Sequence, residues 1–372
     1  MTGTRPTEGR GRLGASRDGA ATTRPEPRHE TAVHRRSNMR QVADLAGVAI
    51  SAVSRVLSGH PDVSATMRER VLTAVNELGY EPDFLAQSLR RGATLSIGFV
   101  VGDISNPLMS EMIRGAEPIL RAAGYSMLMM SSENDPALDA AHVRFFMNRR
   151  VDGMIVSLAS ERKRSTLDLL AQLEVPLMIL DRDVPPRIHA SAVLTDHAKG
   201  MREAVDYLLA LGHRRIALVV GTLDLRPGRE RVRALREGVA AFGAPDESII
   251  LPGSFTAEHG EAATLSLLEL DEPPTAIIAG GNQLLVGCLR ALRAKGIHPG
   301  TDVALVTCDD VPLSELYDPP IAAIVRDRTA MGESAAELLL ARLHGEEPET
   351  VVQPTSFVPR SSCCPPKARV GR

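Results

Sequence analysis

Residues 41–64 read QVADLAGVAISAVSRVLSGHPDVS, and this stretch decides the fold of the first structured part of the chain. Apolar residues recur at the 3.6-residue spacing of a helix on both sides of Gly47, which breaks the rhythm. Asn38 and Gln41, three residues apart, have the pattern of a capping box at the start of the first helix. Two short helices joined by a glycine-containing turn are therefore predicted, the arrangement known as helix-turn-helix.

A third helix completes this small domain. Ser64 is suited to cap its start, and Gly79 is suited to end it in a left-handed conformation. Three short helices within residues 37–80 make a compact helical domain. By contrast, residues 1–36 are rich in Arg, Gly, Thr and Pro and show no apolar periodicity, so they are predicted to be a disordered arm.

From Ser96 onward the pattern changes to short apolar runs that alternate with amphipathic stretches. Apolar strands separated by helices are typical of parallel sheets covered on both faces. The number of such units predicts an α/β fold with two doubly wound lobes, in which ligands bind beyond the carboxyl ends of the strands. The predicted strands are 96–101, 126–131, 153–158, 176–181, 191–196, 215–220, 275–280, 302–307 and 321–326.

Composition excludes several classes of protein. No apolar run is long enough to cross a bilayer, and the N-terminus lacks the apolar segment of a secretory signal, so a cytoplasmic protein is expected. The four cysteines lack metal-ligand spacing, and neither a metal nor a cofactor is expected. The net charge is −3, and residues 37–92 carry six arginines against six acids. Charge alone therefore gives no reason to predict nucleic-acid binding.

Further motifs extend the helix-turn-helix along the chain. They are RERV (68–71), ELGYEPD (77–83), QSLR (87–90), DISNP (103–107), RRVDG (149–153), ALGHRRIALV (210–219) and DVALVTCDD (302–310). In this order they closely resemble the lactose-repressor (LacI/GalR) family over residues 38 to 360. The resemblance implies a DNA-binding headpiece followed by a domain similar to periplasmic sugar-binding proteins. It also implies a homodimer, or a tetramer, that binds a near-palindromic operator in double-stranded DNA. The chain lacks a clear C-terminal leucine heptad, which favours the dimer.

By that resemblance, the second helix enters the major groove, and a hinge helix within residues 81–93 inserts a leucine into the minor groove. Apolar, hydroxyl and guanidinium groups suit thymine methyls, base edges and phosphates respectively. Val53 is expected in the core, whereas Ile50 is expected to face DNA. The implied DNA-binding residues are Ile50, Ser51, Ala52, Ser54, Arg55, Ala86 and Leu89.

The resemblance also places an effector between the two lobes. Arginine and carboxylate groups together grip hydroxyls and carboxylates through directional hydrogen bonds, which suits a sugar or a related polar metabolite. Leu108 and Met109 stand where many relatives carry aromatic residues, so stacking on a ligand ring is not expected there. The implied effector-binding residues are Asp103, Asn106, Asp181, Arg231, Asn282 and Asp309.

The predicted lobes share residues 94–360. The first lobe takes residues 94–193 and 325–348, the second takes 194–324 and 349–360, and residues 361–372 form a flexible tail. The whole pattern predicts a transcriptional regulator, most simply a repressor, whose operator affinity a small polar metabolite controls.

Two departures from the family pattern leave an alternative open. Ala49 replaces the serine usual before the second helix, which removes a helix cap, and Asp83 places a negative charge in the hinge. A family member that senses its ligand but binds DNA weakly remains the alternative. An enzyme is disfavoured, because the chain lacks a phosphate-binding loop, HExxH and GxSxG. His213 is favoured as a structural residue over a catalytic base, and a transport-type binding protein does not account for the helix-turn-helix.

Overall fold

The computed structural model of the chain describes residues 37–81, 92–243 and 245–367. These fall into two compact units, with the division between residues 83 and 84. The predicted arm over residues 1–36 lies outside the described residues, as do most of the predicted hinge, its Ala86 and Leu89, and Asp83. Among the described residues, no helix is both long and apolar enough to span a membrane.

The first unit contains three helices around one small core. Each helix begins and ends where the local sequence dictates: Asn38 and Gln41 cap each other's backbone N–H, and Gly47 and Gly79 adopt left-handed conformations at helix ends. This confirms the helix-turn-helix predicted from the sequence. The helices are α1 (Met39–Ala46), α2 (Ile50–Leu57) and α3 (Ala65–Leu78).

The second unit contains two lobes, and each is built on a six-stranded sheet. The first lobe begins with a run of strands and helices whose strands pair in parallel, and the strands at the centre of the sheet are fully buried. Its elements are β1 (Ser96–Val101), α4 (Pro107–Ala122), β2 (Ser126–Ser131), α5 (Pro136–Arg149), β3 (Gly153–Val156), α6 (Arg164–Leu170), β4 (Leu177–Leu180) and β5 (Ser191–Thr195).

The second lobe repeats the same plan. Its sheet has the strand order β12-β10-β9-β8-β6-β7, which matches the order β11-β5-β4-β3-β1-β2 of the first lobe. Strand β7 is absent from the strands predicted from the sequence. The elements are α7 (His197–Ala210), β6 (Ile216–Val220), α8 (Arg226–Phe242), β7 (Ile249–Pro252), α9 (Ala257–Leu268), β8 (Ala276–Ala279), α10 (Asn282–Ala294), β9 (Ala304–Cys308), α11 (Pro312–Leu316) and β10 (Ala322–Val325).

The chain then returns to the first lobe and crosses once more. Helix α12 (Arg328–Leu343) packs against α4, and the two helices touch so closely that a Cβ on Gly332 would lie 1.9 Å from the carbonyl oxygen of Met112. Strand β11 (Thr350–Gln353) pairs with β5 in the first sheet, and β12 (Ser356–Val358) pairs antiparallel with β10 in the second.

This path corrects the predicted lobe boundaries. Residues 350–353 belong to the first sheet, whereas the sequence assigned 349–360 to the second lobe. The first crossing follows Thr195, two residues later than predicted, because β5 extends to that residue. Single short strands such as β11 join whichever sheet offers a free edge, and that edge cannot be read from the strand's own residues.

The predicted flexible tail is also wrong for residues 361–367. Ser362 is fully buried, and its hydroxyl donates to the carbonyl of Leu305 at 2.6 Å and accepts from the N–H of Ala322 at 2.8 Å. His213 is fully buried and its ring lies 2.7 Å from the carbonyl oxygen of Cys364. Its other ring nitrogen contacts the hydroxyl of Thr275 at 2.8 Å. Because both ring nitrogens have partners, His213 has the structural role favoured from the sequence.

Candidate functional site

Helix α2 buries one face and exposes the other. Val53 is fully buried in the core of the three-helix unit, whereas Ile50 is 43% exposed. The structure therefore separates these two apolar residues as the sequence predicted. The other α2 residues assigned to DNA are exposed (Ser51 and Arg55) or half-buried (Ala52 and Ser54).

The turn before α2 is fastened from α3. The Arg70 Nη2 donates to the carbonyl of Ala46 at 2.6 Å and to that of Gly47 at 3.2 Å. Gly47 has φ 64°, and a Cβ there would lie 2.7 Å from that nitrogen. A side chain at Gly47 would be strained in conformation and would also displace the arginine. Arg70 thus holds the angle at which α2 leaves α1.

The start of α2 lacks a side-chain cap. Ala49 occupies the capping position, where its methyl group accepts no hydrogen bond. By contrast, the starts of α1 and α3 are capped by Asn38 and Ser64. The loss of a cap inferred from the sequence is therefore present in the structure, and it leaves an N–H of the first turn of α2 without the side-chain acceptor that a serine would supply.

In the second unit, two aspartates occupy equivalent places in the two lobes. Asp181 follows β4 and Asp309 follows β9, the strand in the same position of the second sheet. Both have left-handed backbones, with φ 51° and 76°. Both backbone N–H groups donate to the neighbouring strand, at Val193 and Ile324. Strained non-glycine residues of this kind cluster at binding sites.

Arg326 joins these two aspartates. Its Nε donates to Asp309 Oδ1 and its Nη1 to Asp181 Oδ2, each at 2.8 Å, and Nη1 also donates to the hydroxyl of Thr195 at 2.7 Å. The side chain is only 7% exposed. Arg326 follows β10, where the chain crosses to the first lobe, and Thr195 ends β5, where the chain crosses to the second. The guanidinium of Arg326 therefore links both lobes at two of their crossings.

His197 also contacts Asp181, with its Nε2 at 3.1 Å from the same Oδ2 that accepts a hydrogen bond from Arg326. Burial lowers the pKa of His197 from 6.5 to about 4, and the positive charges of Arg231 and Arg326 act in the same direction. Burial alone would raise the pKa of Asp181, but the contacts with His197 and Arg326 outweigh it and hold the pKa well below its ordinary value. At neutral pH, the site therefore holds a neutral imidazole beside an ionised carboxylate.

The remaining predicted residues meet in the same cleft. The buried Arg231 donates from Nη1 to the carbonyl of Gly280 at 2.7 Å, and its Nη2 lies 3.6 Å from Asp309 Oδ2. Asn282, at the start of α10, donates to Asn106 Oδ1, at the start of α4, over 3.1 Å. This hydrogen bond crosses from one lobe to the other.

All six residues assigned to the effector line one cavity of about 100 Å³ between the lobes. Its polar wall also includes Arg182, Asn134 and Arg326, and its apolar wall includes Leu180 and Phe255. The missing aromatic residues at Leu108 and Met109 are thus offset in part by Phe255, which comes from the second lobe. Acceptors, guanidinium groups and a short apolar surface together suit a small polar ligand.

Ion pairs close the cleft at one rim. In the first lobe, Glu161 accepts hydrogen bonds from the N–H of Arg226 and the guanidinium of Arg229, and both groups belong to the second lobe. Asp183 of the first lobe lies 2.8 Å from Arg229 and 3.3 Å from Arg226. The rim pairs hold the two lobes together outside the cavity.

Comparison with known proteins agrees with this architecture. Residues 38–83 match the family described as bacterial regulatory proteins, lacI family, and residues 205–363 match a periplasmic binding protein-like domain. The transcriptional repressor PurR of Haemophilus influenzae (strain PittEE) is 30% identical over 84% of this chain and 93% of its own length. The transcriptional regulator DegA of Bacillus subtilis is 30% identical over 87% of this chain and 97% of its own length. The chain belongs to the LacI family of bacterial transcriptional regulators.

Solved structures give the same result. A lac repressor dimer bound to operator and the anti-inducer ONPF has a TM-score of 0.78 at 26% identity, covering 89% of this chain and all of that one. A complex of the regulator CelR with cellobiose has a TM-score of 0.67 at 30% identity, covering 88% of this chain and all of that one. This LacI-family chain is thus a DNA-binding transcriptional regulator with two parallel-sheet lobes.

Sequence reasoning missed several residues of the cleft in this regulator. Arg326, Arg182, His197 and Phe255 were not assigned, although the first three stand directly at or just after predicted strand ends. The rule that ligands bind beyond carboxyl strand ends would have found these three. Phe255 follows β7, which was not predicted, so no sequence signal pointed to it.

Proposed function

We propose that this regulator is a repressor whose operator affinity is controlled by a small polar metabolite bound between the two lobes. The observation that carries the proposal is the convergence of Asp103, Asn106, Asp181, Arg231, Asn282 and Asp309 on one interlobe cavity. The chain also carries a helix-turn-helix, so it has both a cavity for a ligand and a domain for DNA, the two parts that a ligand-controlled repressor needs. Regulators of similar fold have been solved with cellobiose and with ribose, which supports a sugar or a related compound.

In this proposal, α2 enters the major groove of a near-palindromic operator. Ile50, Ser51, Ala52, Ser54 and Arg55 contact base edges or phosphates, while Ala86 and Leu89 act in the minor groove. The exposure of Ile50 and Arg55 supports this assignment, because neither side chain is needed to build the core of the headpiece. Since genomic DNA is the partner, the protein acts in the cytoplasm, without a catalytic role or a cofactor.

A homodimer is part of the proposal. Strand β2 is an edge strand of the first sheet, yet its Leu128 and Met129 are 40% and 39% exposed. Monomeric proteins usually blunt such an edge with charged residues, and none stands within β2. A second copy of the chain is the simplest cover, and the lac repressor with the same fold was solved as a dimer. A two-fold dimer also fits a near-palindromic operator.

Selection of bound sequences from a random duplex library, at two salt concentrations, tests the proposal. An enriched near-palindrome whose binding weakens with salt would support a dimeric repressor. The absence of enrichment at low salt would contradict operator binding. That second result would favour the alternative of a ligand sensor with weak DNA binding, for which the uncapped start of α2 at Ala49 is the specific observation.

A further inference from the structure

Arg182 lines the cleft cavity but has no close counter-ion in the part of the chain that the structure describes. Its Nε donates to the carbonyl of Leu158 at 2.6 Å, and its Nη1 donates to the carbonyl of Asp181 at 2.8 Å. Its Nη2 has no hydrogen-bond partner among the described residues, and none of their carboxylate oxygens lies within 4.0 Å of the guanidinium. Two carbonyls therefore fix the orientation of the guanidinium while one nitrogen remains available.

The other arginines of the cleft differ from Arg182, because each contacts a carboxylate. Arg326 bridges Asp181 and Asp309, Arg231 lies 3.6 Å from Asp309, and Arg229 contacts Glu161 and Asp183 across the rim. Two of the carboxylates that act electrostatically on Arg182, Asp181 and Glu161, are engaged in these pairs. Partial burial of Arg182 makes its unpaired charge costly, which is the situation that an anionic ligand relieves.

The buried Asp139 is the remaining carboxylate near Arg182. It accepts a hydrogen bond from the N–H of Ala159 at 2.7 Å, and burial raises its pKa. Asp139 does not line the cavity, whereas Arg182 does. Asp139 therefore does not occupy the part of the cavity where a ligand would contact the guanidinium of Arg182.

The rest of the cavity wall suits the hydroxyl groups and carbon chain of a small polar molecule. Asp103 and Asn134 supply acceptors for hydroxyl groups, and Leu180 and Met112 supply a short apolar surface. A carboxylate among the acceptors disfavours a molecule that carries only anionic groups. The volume of about 100 Å³ favours a compact one.

We propose that the ligand of this cleft is a small polyhydroxylated acid, whose anionic group, a carboxylate or a phosphate ester, pairs with Arg182. This inference rests on the proposed function, since it assumes that the cleft binds the effector. A planar guanidinium held by two backbone carbonyls presents its free nitrogen in a fixed direction, so charge and direction together select the acid over the neutral sugar.

Isothermal titration of the full-length chain with matched pairs of compounds tests this. The pairs are glucose with glucuronate, galactose with galacturonate, and glucose with glucose 6-phosphate. At least one acid should bind about tenfold or more tightly than its neutral counterpart, since a charge-assisted hydrogen bond contributes more than a neutral one. The uronate pairs and the phosphate pair distinguish the two anionic groups.

Two variants test whether Arg182 causes the preference for the acid over the neutral sugar. Arg182→Gln should reduce the acid's affinity about tenfold or more and the neutral sugar's affinity by a smaller factor, whereas Arg182→Lys should keep part of the preference. Arg187→Gln is the matched control, because Arg187 lies in the same loop but pairs with Asp168 at the surface.

Preference for the neutral sugars, equal binding within each pair, no binding of any acid at millimolar concentration, or a preference that survives Arg182→Gln would overturn the inference. The parent titration alone decides the first three outcomes, so they do not depend on the folding of a variant. Operator selection separates this inference from the proposed function. If the chain selects an operator but binds none of the acids, the proposed function is supported and the acid ligand is contradicted. If it binds an acid but selects no operator, the acid ligand is supported and operator binding is contradicted.

Discussion

Asp181 and Asp309 occupy equivalent positions in the two lobes and share one guanidinium, that of Arg326, with 2.8 Å hydrogen bonds to both. Each lobe contributes one carboxylate from the end of the corresponding strand of its sheet. The ligand cavity is lined by all three side chains. Movement of one lobe against the other must therefore alter the same contacts that a ligand would touch.

Removal of the Arg326 charge should destabilise the second unit strongly. Arg326→Gln leaves two buried carboxylates without their shared cation, and loss of one partner from a buried pair costs about 3–5 kcal/mol. Urea denaturation followed by circular dichroism measures the change in free energy of unfolding. Arg187→Gln breaks an exposed ion pair and should change it by about 1 kcal/mol or less. A loss for Arg326→Gln as small as that of the control would show that the bridge contributes little.

Acidification should destabilise the protein through His197. Between pH 6.5 and about 4, the unfolded chain protonates this imidazole while the folded chain keeps it neutral. The free energy of unfolding should therefore fall with falling pH, by up to about 1.4 kcal/mol per pH unit.

A His197→Gln variant, with an amide facing Asp181, Arg231 and Arg326, should lose this part of the slope. Urea midpoints measured across the same pH range compare the variant with the parent. Parallel curves for the two proteins would argue against a neutral, buried His197. His197 is itself one cause of the lowered pKa of Asp181, so the curves are compared above about pH 5, where Asp181 is ionised in both the folded and the unfolded parent.

Arg55→Ala should weaken operator binding. A guanidinium on a base edge or phosphate contributes about 1–3 kcal/mol, and Arg55 is exposed on α2. Fluorescence anisotropy with the selected operator, at fixed salt concentration, measures the dissociation constant. Arg114→Ala, which removes an exposed arginine from the second unit, should leave that constant unchanged. Equal affinities for parent and Arg55→Ala would remove Arg55 from the interface.

Ala49→Ser should stabilise the start of α2. A serine at this position can accept a hydrogen bond from the first turn, and such caps contribute about 0.5–2 kcal/mol. The melting temperature and the affinity for the operator should both be higher than those of the parent, as thermal unfolding and operator titration measure. Ala49→Val is the control, since valine supplies no acceptor. If serine and valine behave alike, the missing cap does not explain any weakness in DNA binding.

Leu128→Glu should convert the dimer into a monomer. A charge on β2 repels its copy across a two-fold interface and prevents close strand packing. Light scattering after size-exclusion chromatography gives the molar mass. Val352→Glu is the matched control, because Val352 is 53% exposed on β11, the opposite edge strand of the same sheet. A dimer that survives Leu128→Glu but not Val352→Glu would move the interface to the other edge.

Much of this architecture could be predicted because its signals are local. The capping pair Asn38 and Gln41, the break at Gly47 and the apolar runs of the central strands each act within a few residues. Asp181 and Asp309 were assigned through the family resemblance, and each also lies at or shortly after the end of a recognisable strand. Local signals of this kind indicate helices, strands and strand ends without knowledge of any tertiary contact.

The remaining features depend on distant parts of the chain. Arg326 matters because Asp181, 145 residues earlier, lies beside it, and only the crossing of the chain between lobes brings them together. Residues 361–367 have the composition of a tail, yet Ser362 finds buried partners at Leu305 and Ala322. The strand-end rule can indicate that Arg326 lies near a ligand site, but no pattern in the sequence predicts its contact with Asp181 or the burial of Ser362, because both depend on tertiary contacts.

The return of α12 and β11 to the first lobe has a consequence for synthesis of the protein. That lobe begins at β1, but its sheet and its helical cover close only after residue 353 has been made. Until then, the face of α4 that receives Gly332 stays open, even though β6 to β10 of the second lobe have already been synthesised. A chain that ends before β11 would lack a strand of both sheets, so we expect premature termination to yield two unfinished lobes that proteases degrade.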